Sequence, residues 1–500
     1  MAERRDRKAS RESRARSNSS RQAEPQETSI RFTVFTPTHR PDHLADAFDS
    51  LVAQTRADWE WVLVPNGPHA SIPDRIAQDV RVRVVPAPDG VAEQGIGALK
   101  RFACIQARGT WLVEFDHDDL LVPNALERID AFAGNRDSGF VFSDFANFRA
   151  DGTCQVYDAE FGWESYPVEG NRGERYTAMR AFEPDASSLH RIHFAPNHVR
   201  AWHRDTYALA GAHDASLPVA DDHDLVCRTW LTGAPFVHIP ECLYLYRLLP
   251  DGRNTYVQRN AEIQERQQQM SNRYVYALIA EWCRRRALPM IDLGDASQRP
   301  PGYRSVAGRV PCESGFSGKK SVDGSESRGS GFTAAPLGAH SSIPSDDANA
   351  HVVPRGGLPD PDDSIGCVRA WDCLDRVPAC ADARCDHGRG VDPGRCVVGT
   401  MNEIYRVLAP GGWLLVRMPS NGASVEAPVA PHRSRWNPDT FRMFTQRARA
   451  AGVPGTRCRF QGARIWEEFP SRRHEEHGVP YVYADLVALK GQRQPGVCEI

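Results

Sequence analysis

The stretch Trp111–Leu121, WLVEFDHDDLL, constrains this 500-residue chain more than any other. Trp111, Leu112, Val113 and Phe115 are apolar with Glu114 as the single interruption, so a short buried strand is expected. The strand runs into Asp116-His117-Asp118-Asp119. Pro123 then stands at a first-helical position, ahead of a helix expected from Ala125 to Phe132. Carboxylates this crowded repel one another unless water solvates them or a cation sits among them. The stretch is therefore either a hold for a hard, oxygen-liking divalent ion (Mn2+ or Mg2+) or a solvated acidic turn.

The preceding residues favour a site. Ile30, Phe32, Val34 and Phe35 form a strand that ends in Thr36-Pro37-Thr38-His39-Arg40, and Leu44, Phe48, Leu51 and Val52 give the next helix one apolar face. Trp59–Val64 is a second strand, closed by Pro65-Asn66-Gly67-Pro68. A third, Val82–Val85, precedes the Gly95-Ile96-Gly97 turn and a helix over Ala98–Ala107. Strands alternating with helices imply an α/β fold with a largely parallel sheet. Ligands bind at the carboxyl ends of such strands, where the THR, PNG and DHDD turns all fall. A second acidic group, Asp221-Asp222-His223-Asp224, opens the helix Leu225–Leu231, where acidic residues also suit the helix dipole.

Composition narrows the class. With 41% hydrophobic and 25% charged residues the chain is long enough for two or more cores. A net charge of -3 gives no reason to expect nucleic acid, and no apolar run approaches the ~20 residues of a membrane span. No secretion signal is evident and the thirteen cysteines are scattered, so a reducing cytoplasm is the expected setting. Residues 1–29, rich in Arg and Ser, read as a disordered basic tail, solvated or touching anionic lipid or nucleic acid.

FTVFTPTHR, GIGALKR, FDHDD and VADDHDLVCR, in this order, resemble a family 2 glycosyltransferase of the GT-A fold over about residues 30–250. The resemblance implies a nucleotide-sugar-binding domain with a mainly parallel mixed sheet, a metal-binding DxD motif, and sugar transfer with inversion. By position it makes Asp116 and Asp118 the DxD pair. Asp118 would ligate the metal, Asp116 would lie near the ribose or metal, and Asp119 would stand just behind them. Thr36 and Arg40 would line the nucleotide pocket, Lys100 would offer the donor a cation, and Asp222 would be the general base. Asn66 stands where many relatives carry a base-reading carboxylate, and Leu248 follows Tyr246-Arg247 where a histidine is common. His198 and His238 read as structural. Trp163, Tyr166, His190, His193 and Asn197 are expected around the acceptor. Expected partners are a nucleotide-sugar donor, UDP-linked by preference, and a saccharide or lipid-linked acceptor. Peripheral contact with a membrane-bound acceptor is compatible with this reading; nucleic acid is not expected.

The organisation expected is a domain over 30–255, a helical bridge over 256–288, and a second, incomplete Rossmann-like α/β domain over 289–500, with loop over 296–363. EIYRVLAPGGWLLV, with LPDPDDSIGCVRAWDCLDRVP before it, resembles the late part of class I S-adenosylmethionine-dependent methyltransferases. Asp292-Leu293-Gly294-Asp295 supplies only one glycine and Arg376 follows Asp375, so a degenerate scaffold without S-adenosylmethionine is expected. Cys380, Cys385, His387 and Cys396 have no tight zinc spacing and read as free thiols. The alternatives are a methyltransferase with a glycan-recognition module, or a non-catalytic carbohydrate scaffold whose two acidic clusters lie apart.

Overall fold

The computed structural model describes residues 29–159, 162–170, 173–294, 298–306, 352–354, 356–380, 392–420 and 434–491. The tail 1–28, most of the expected 296–363 loop, Asp295, Cys385 and His387 lie outside these residues.

In chain order the strands of the first sheet are β1 (Phe32–Thr38), β2 (Trp59–Pro65), β3 (Val82–Val84), β4 (Trp111–Glu114), β5 (Leu120–Leu121), β6 (Phe140–Phe148), β7 (Cys154–Gln155), β8 (Ser165–Glu169), β9 (Arg175–Met179), β10 (Arg200–His203) and β11 (Phe236–Arg247). The main path is β3-β2-β1-β4-β10-β6-β11-β5. Strands β3, β2, β1 and β4 pair in parallel, as the strand–helix alternation requires. The sheet is mixed because β10 inserts antiparallel between β4 and β6. Its central strands are buried on both faces and mostly apolar, with Thr33, Glu60, Glu114 and Arg200 as buried interruptions; Trp61, Trp111 and Trp202 are fully buried.

Register sets the site. Phe35 lies opposite Glu114 and Thr38 opposite Pro65, so the turns after β1, β2 and β4 share one edge. The Asn66 amide donates to the Thr38 carbonyl at 2.7 Å, fixing two of those turns to each other. After β3 and a short helix, Val91–Gln94, the helix expected over Ala98–Ala107 spans Ile96–Ile105, because Gly95 (φ +114°) lets the chain turn into it two residues earlier. Pro123 lies two residues ahead of its helix, which spans Ala125–Ala133.

Helices Thr255–Gln258 and Asn260–Arg285 follow β11. The longer one buries Met270, Tyr274, Val275, Leu278, Ile279 and Trp282 in a core shared with Leu225 and Trp230 on one side and Trp413, Leu415 and Val487 on the other. A second sheet comprises β12 (Met290–Asp292), β13 (Tyr303–Ser305), β14 (Ile365–Trp371), β15 (Leu408–Pro419), β16 (Phe460–Glu468) and β17 (Tyr481–Ala488), ordered β13-β12-β14-β15-β17-β16. The first four are parallel and β17 and β16 antiparallel. The helix Val397–Val407 leads directly into β15. Ala409-Pro410-Gly411-Gly412 lies within that strand as an irregularity: pairing jumps from Ile365–Leu408 to Cys367–Trp413, five residues on β15 against two on β14. Among the described residues no helix is long and apolar enough to cross a membrane.

Candidate active site

The acidic loop after β4 is anchored from β11. Buried Asp119 accepts from the Tyr244 hydroxyl at 2.8 Å and from the Arg247 amide at 2.7 Å. Arg247 Nε donates to the Asp118 carbonyl at 2.7 Å, and the Asp116 amide donates to Tyr244 at 3.1 Å. Asp119 is thus engaged within the protein. The Asp116 and Asp118 carboxylates remain at the sheet edge and accept no hydrogen bond from the described residues. Burial pushes Asp116 up to about 7, with Lys100 opposing and Glu114 and Asp118 adding to the rise. This group is still 36% exposed at its side chain, so a ligand can reach it. His117 points the other way, buried and edge-on to His39 with ring centroids 4.9 Å apart. Burial pushes it down to about 4, and it stays neutral at pH 7.

Beneath the loop lies a buried charge network. Arg200, 2% exposed, donates from Nε to Glu114 at 2.8 Å and pairs through Nη2 with Asp222 at 2.7 Å. Lys100 pairs with the other oxygen of Glu114 and lies 3.5 Å from Asp221. His198 stacks on Tyr244 (centroids 4.6 Å apart), with Nε2 2.7 Å from Arg200 and 4.0 Å from the Asp116 carboxylate. Arg200 holds a proton on every nitrogen, so His198 Nε2 must be the acceptor. Burial pushes this imidazole down to about 3, consistent with a neutral ring. Burial alone would raise Glu114, but Arg200 and Lys100 outweigh it and hold the carboxyl at about 2. The same two cations outweigh burial at Asp222 and hold it well below the usual carboxylate range. Asp221, behind it, is pushed up to about 7 by burial.

The GIG turn explains how Asp222 arrives here. A Cβ on Gly97 would lie 2.2 Å from the Asp214 carbonyl, and one on Gly95 2.7 Å from Pro218 Cα. Only glycine permits this approach, and the Gly97 amide donates to the Leu217 carbonyl at 3.2 Å. The 214–218 loop is thereby pinned to the Ile96–Ile105 helix. The chain then enters the helix Asp221–Leu231 through Ala220 at φ +56°. Asp116 and Asp222 consequently both reach the His198–Arg200 pair.

Other expected site residues divide. Arg40 and Asn66 stand partly exposed at the ends of β1 and β2. Thr36 is fully buried: its hydroxyl donates to the Phe115 carbonyl at 2.6 Å and accepts from Trp61 Nε1 at 2.8 Å, holding β1 to its neighbours. Lys100 is 7% exposed and belongs to the buried network. Trp163 is packed among Tyr157, Phe182 and Phe194, and Tyr166 donates to Asp144 at 2.8 Å. His193 bonds Gln267 at 2.9 Å, His190 is buried, and Asn197 accepts from the His198 amide at 2.7 Å. His238 does hold structure, bonding buried Asp144 at 2.7 Å. His198, read as structural, lies at the centre of the site. Arg200 and Glu114 were not singled out by sequence reasoning; the available signal was opposite charges in two otherwise buried strands. Among the described residues no three His, Cys, Asp or Glu side chains converge as a ready-made metal cage.

Part of this geometry, from Thr36 to Asp119, lies within a segment that matches a known family; His198, Arg200, Asp222 and Tyr244 lie beyond it. Residues 33–195 match the family model Glycosyl transferase family 2. A protein of Sinorhizobium fredii (strain NBRC 101917 / NGR234), described as uncharacterized protein y4gI, is 27% identical over 230 residues, covering 44% of this chain and 22% of its own length. Among solved structures, S. aureus TarS 1-349 is 14% identical over 51% of this chain and 72% of its own, with a TM-score of 0.36. The mannosyltransferase PcManGT from Pyrobaculum calidifontis, in complex with GDP-Man and Mn2+, is 16% identical over 51% of this chain and 69% of its own, also at 0.36.

Proposed function

We propose that the chain is a metal-dependent, inverting glycosyltransferase that moves a sugar from a nucleoside diphosphate sugar, UDP-linked by preference, to a saccharide or lipid-linked acceptor in cell-surface polysaccharide or glycan synthesis. The observation that carries this reading is the meeting of two acidic centres at one pair of side chains: Asp116 and Asp222 both reach His198–Arg200, within and beside the matched segment. A carbohydrate scaffold with separate acidic clusters does not require that meeting.

Mn2+ or Mg2+ fits the residues present. The Asp116 and Asp118 carboxylates accept no hydrogen bond from the described residues, burial with Glu114 and Asp118 raises Asp116, and a hard cation would relieve both. Two carboxylates without a third ligand suit an ion that completes its shell with phosphate and water. When bound, the ion would neutralise charge on the departing diphosphate.

The chain's own residues do the rest. Asp222 Oδ1 accepts from the His223 amide at 2.8 Å and Oδ2 from Arg200, so the carboxylate is oriented and ionised. It accepts the acceptor hydroxyl's proton late, once bond formation has made that proton acidic. Arg40 and Asn66 flank the nucleotide end, where Asn66 would meet the base through amide hydrogen bonds. The second sheet is proposed as a methyltransferase-like scaffold without S-adenosylmethionine, joined through a 256–288 bridge.

Calorimetric titration with UDP tests the reading, with and without Mn2+, on wild type and Asp118→Ala. Metal-dependent binding lost in the variant is expected. No binding of UDP, GDP or dTDP by wild type would overturn it.

A further inference from the structure

The two segments that complete the site, the arm leading to Arg200 and the first turn of the Asp221–Leu231 helix, are both gripped by one helix face. Gln267, Ser271 and Tyr274 stand at i, i+4 and i+7 of Asn260–Arg285, a spacing that stacks them on one side. Gln267 Nε2 donates to the Arg191 carbonyl at 2.5 Å, while its Oε1 accepts from His193 Nδ1 at 2.9 Å. Ser271 donates to the His190 carbonyl at 2.8 Å. These bonds fix the arm that runs on to His198 and Arg200. Tyr274 donates to Asp224 at 2.6 Å, in the first turn of the helix bearing Asp222.

The second sheet also contacts this arm. Arg191 donates to the Gly462 carbonyl at 3.1 Å, and the His190 ring meets Trp413 edge-on at 6.1 Å. Arg464 of β16 also donates to Asn272 at 2.6 Å, tying the sheet to the long helix itself.

We propose that Gln267, Ser271 and Tyr274 are positioning residues, which fix His198–Arg200 and Asp222 relative to each other, with the second sheet acting as the buttress behind them. The proposal rests on the glycosyltransferase reading for its catalytic consequence, not for its structural one. The hydrogen bonds of the three residues go to the 190–193 arm and Asp224, and among the described residues none goes to β1, β2 or β4. Their loss therefore leaves donor binding intact and disturbs the step that needs Asp222 in place.

The test uses the full chain carrying Gln267→Ala with Tyr274→Phe, and separately Ser271→Ala against Ser271→Thr. Hydrogen exchange should rise in 189–200 and 221–226 and stay unchanged in 32–38 and 111–119. Turnover at saturating donor should fall about 10- to 100-fold in the double variant with the donor KM within about twofold, since small misplacements are costly in this range. Threonine at 271, which keeps the hydroxyl, should restore what alanine loses. Unchanged exchange, exchange raised evenly through every strand, or a local rise without a change in turnover would each overturn the proposal. If wild type neither binds a nucleotide nor transfers a sugar, the glycosyltransferase reading falls, and the exchange pattern alone decides whether the clamp exists.

Discussion

The molecule has two sheet edges of the same kind, and their charges are balanced differently. Each lies at the carboxyl ends of parallel strands, where α/β sheets bind ligands. At the first, the Asp116 and Asp118 carboxylates accept no hydrogen bond from the described residues. At the second, Asp292 is bonded to Arg369 at 2.8 Å, both almost fully buried. Arg369 and Arg417 lie 3.9 and 4.3 Å from the Trp371 ring centre, and Arg417 also pairs with Asp372. A Cβ on Gly294 would lie 2.8 Å from the Trp371 carbonyl, so β12 and β14 approach closely here. Topology supplies a place for a ligand; charge left unmatched supplies the reason to bind one.

The sharpest way to break this contrast is at Asp222. Asp222→Asn should lower kcat by about 10²- to 10⁴-fold, the range for losing a general base, while UDP and Mn2+ still bind. Retained turnover would remove Asp222 from the chemistry. Arg200→Met probes the same edge through folding. It leaves Glu114 with Lys100 alone and strips Asp222 of its bonded cation. Breaking one partner of a buried pair costs about 3–5 kcal/mol, readable by urea denaturation. A loss below about 1 kcal/mol would mean the network is solvated.

A smaller effect is expected at His238, where a charge inside the first sheet is matched. Burial alone would lower this imidazole, but the hydrogen bond to Asp144 and the Glu183 carboxylate 3.6 Å away outweigh burial and raise it to about 9. A raised histidine contributes stability that is complete below its unfolded value near 6.5 and disappears as pH climbs through 9. His238→Leu should therefore cost about 3 kcal/mol at pH 6, with the pH-dependent part of the gap from wild type gone by pH 10. A gap that does not change with pH would show that packing alone is at stake.

These positions also show what the sequence could reveal. The strands of the first sheet were legible because apolar runs between Gly, Pro and Asn turns have few other uses. Both acidic clusters were legible because carboxylates so close together need an explanation. Glu114 appeared only as an interruption, and Arg200 did not stand out, because their bond crosses β4 and β10 between residues 86 positions apart. Nothing local encodes that register. The same limit applies to Thr36: the resemblance implies a place in the nucleotide pocket, while its hydroxyl turns inward to Phe115 and Trp61.

The smallest expected effect belongs to the second edge. A ligand at 100 times its Kd stabilises a folded protein by about 2.7 kcal/mol, which would show as a raised melting midpoint. UDP with Mn2+ should raise it through the first edge. S-adenosylmethionine should leave it within about 1 °C, the shift left when a ligand adds only tenths of a kcal/mol. Arg369→Ala makes the comparison stricter. It removes the cation beside Asp292 and one face of the Trp371 stack, and so frees a carboxylate at the end of β12. If unmatched charge is what distinguishes the edges, this variant should be destabilised and gain sensitivity to added cations. A midpoint raised by S-adenosylmethionine in wild type would instead show that the second edge takes a ligand although its Asp292–Arg369 pair is matched, and unmatched charge would no longer be what distinguishes the two edges.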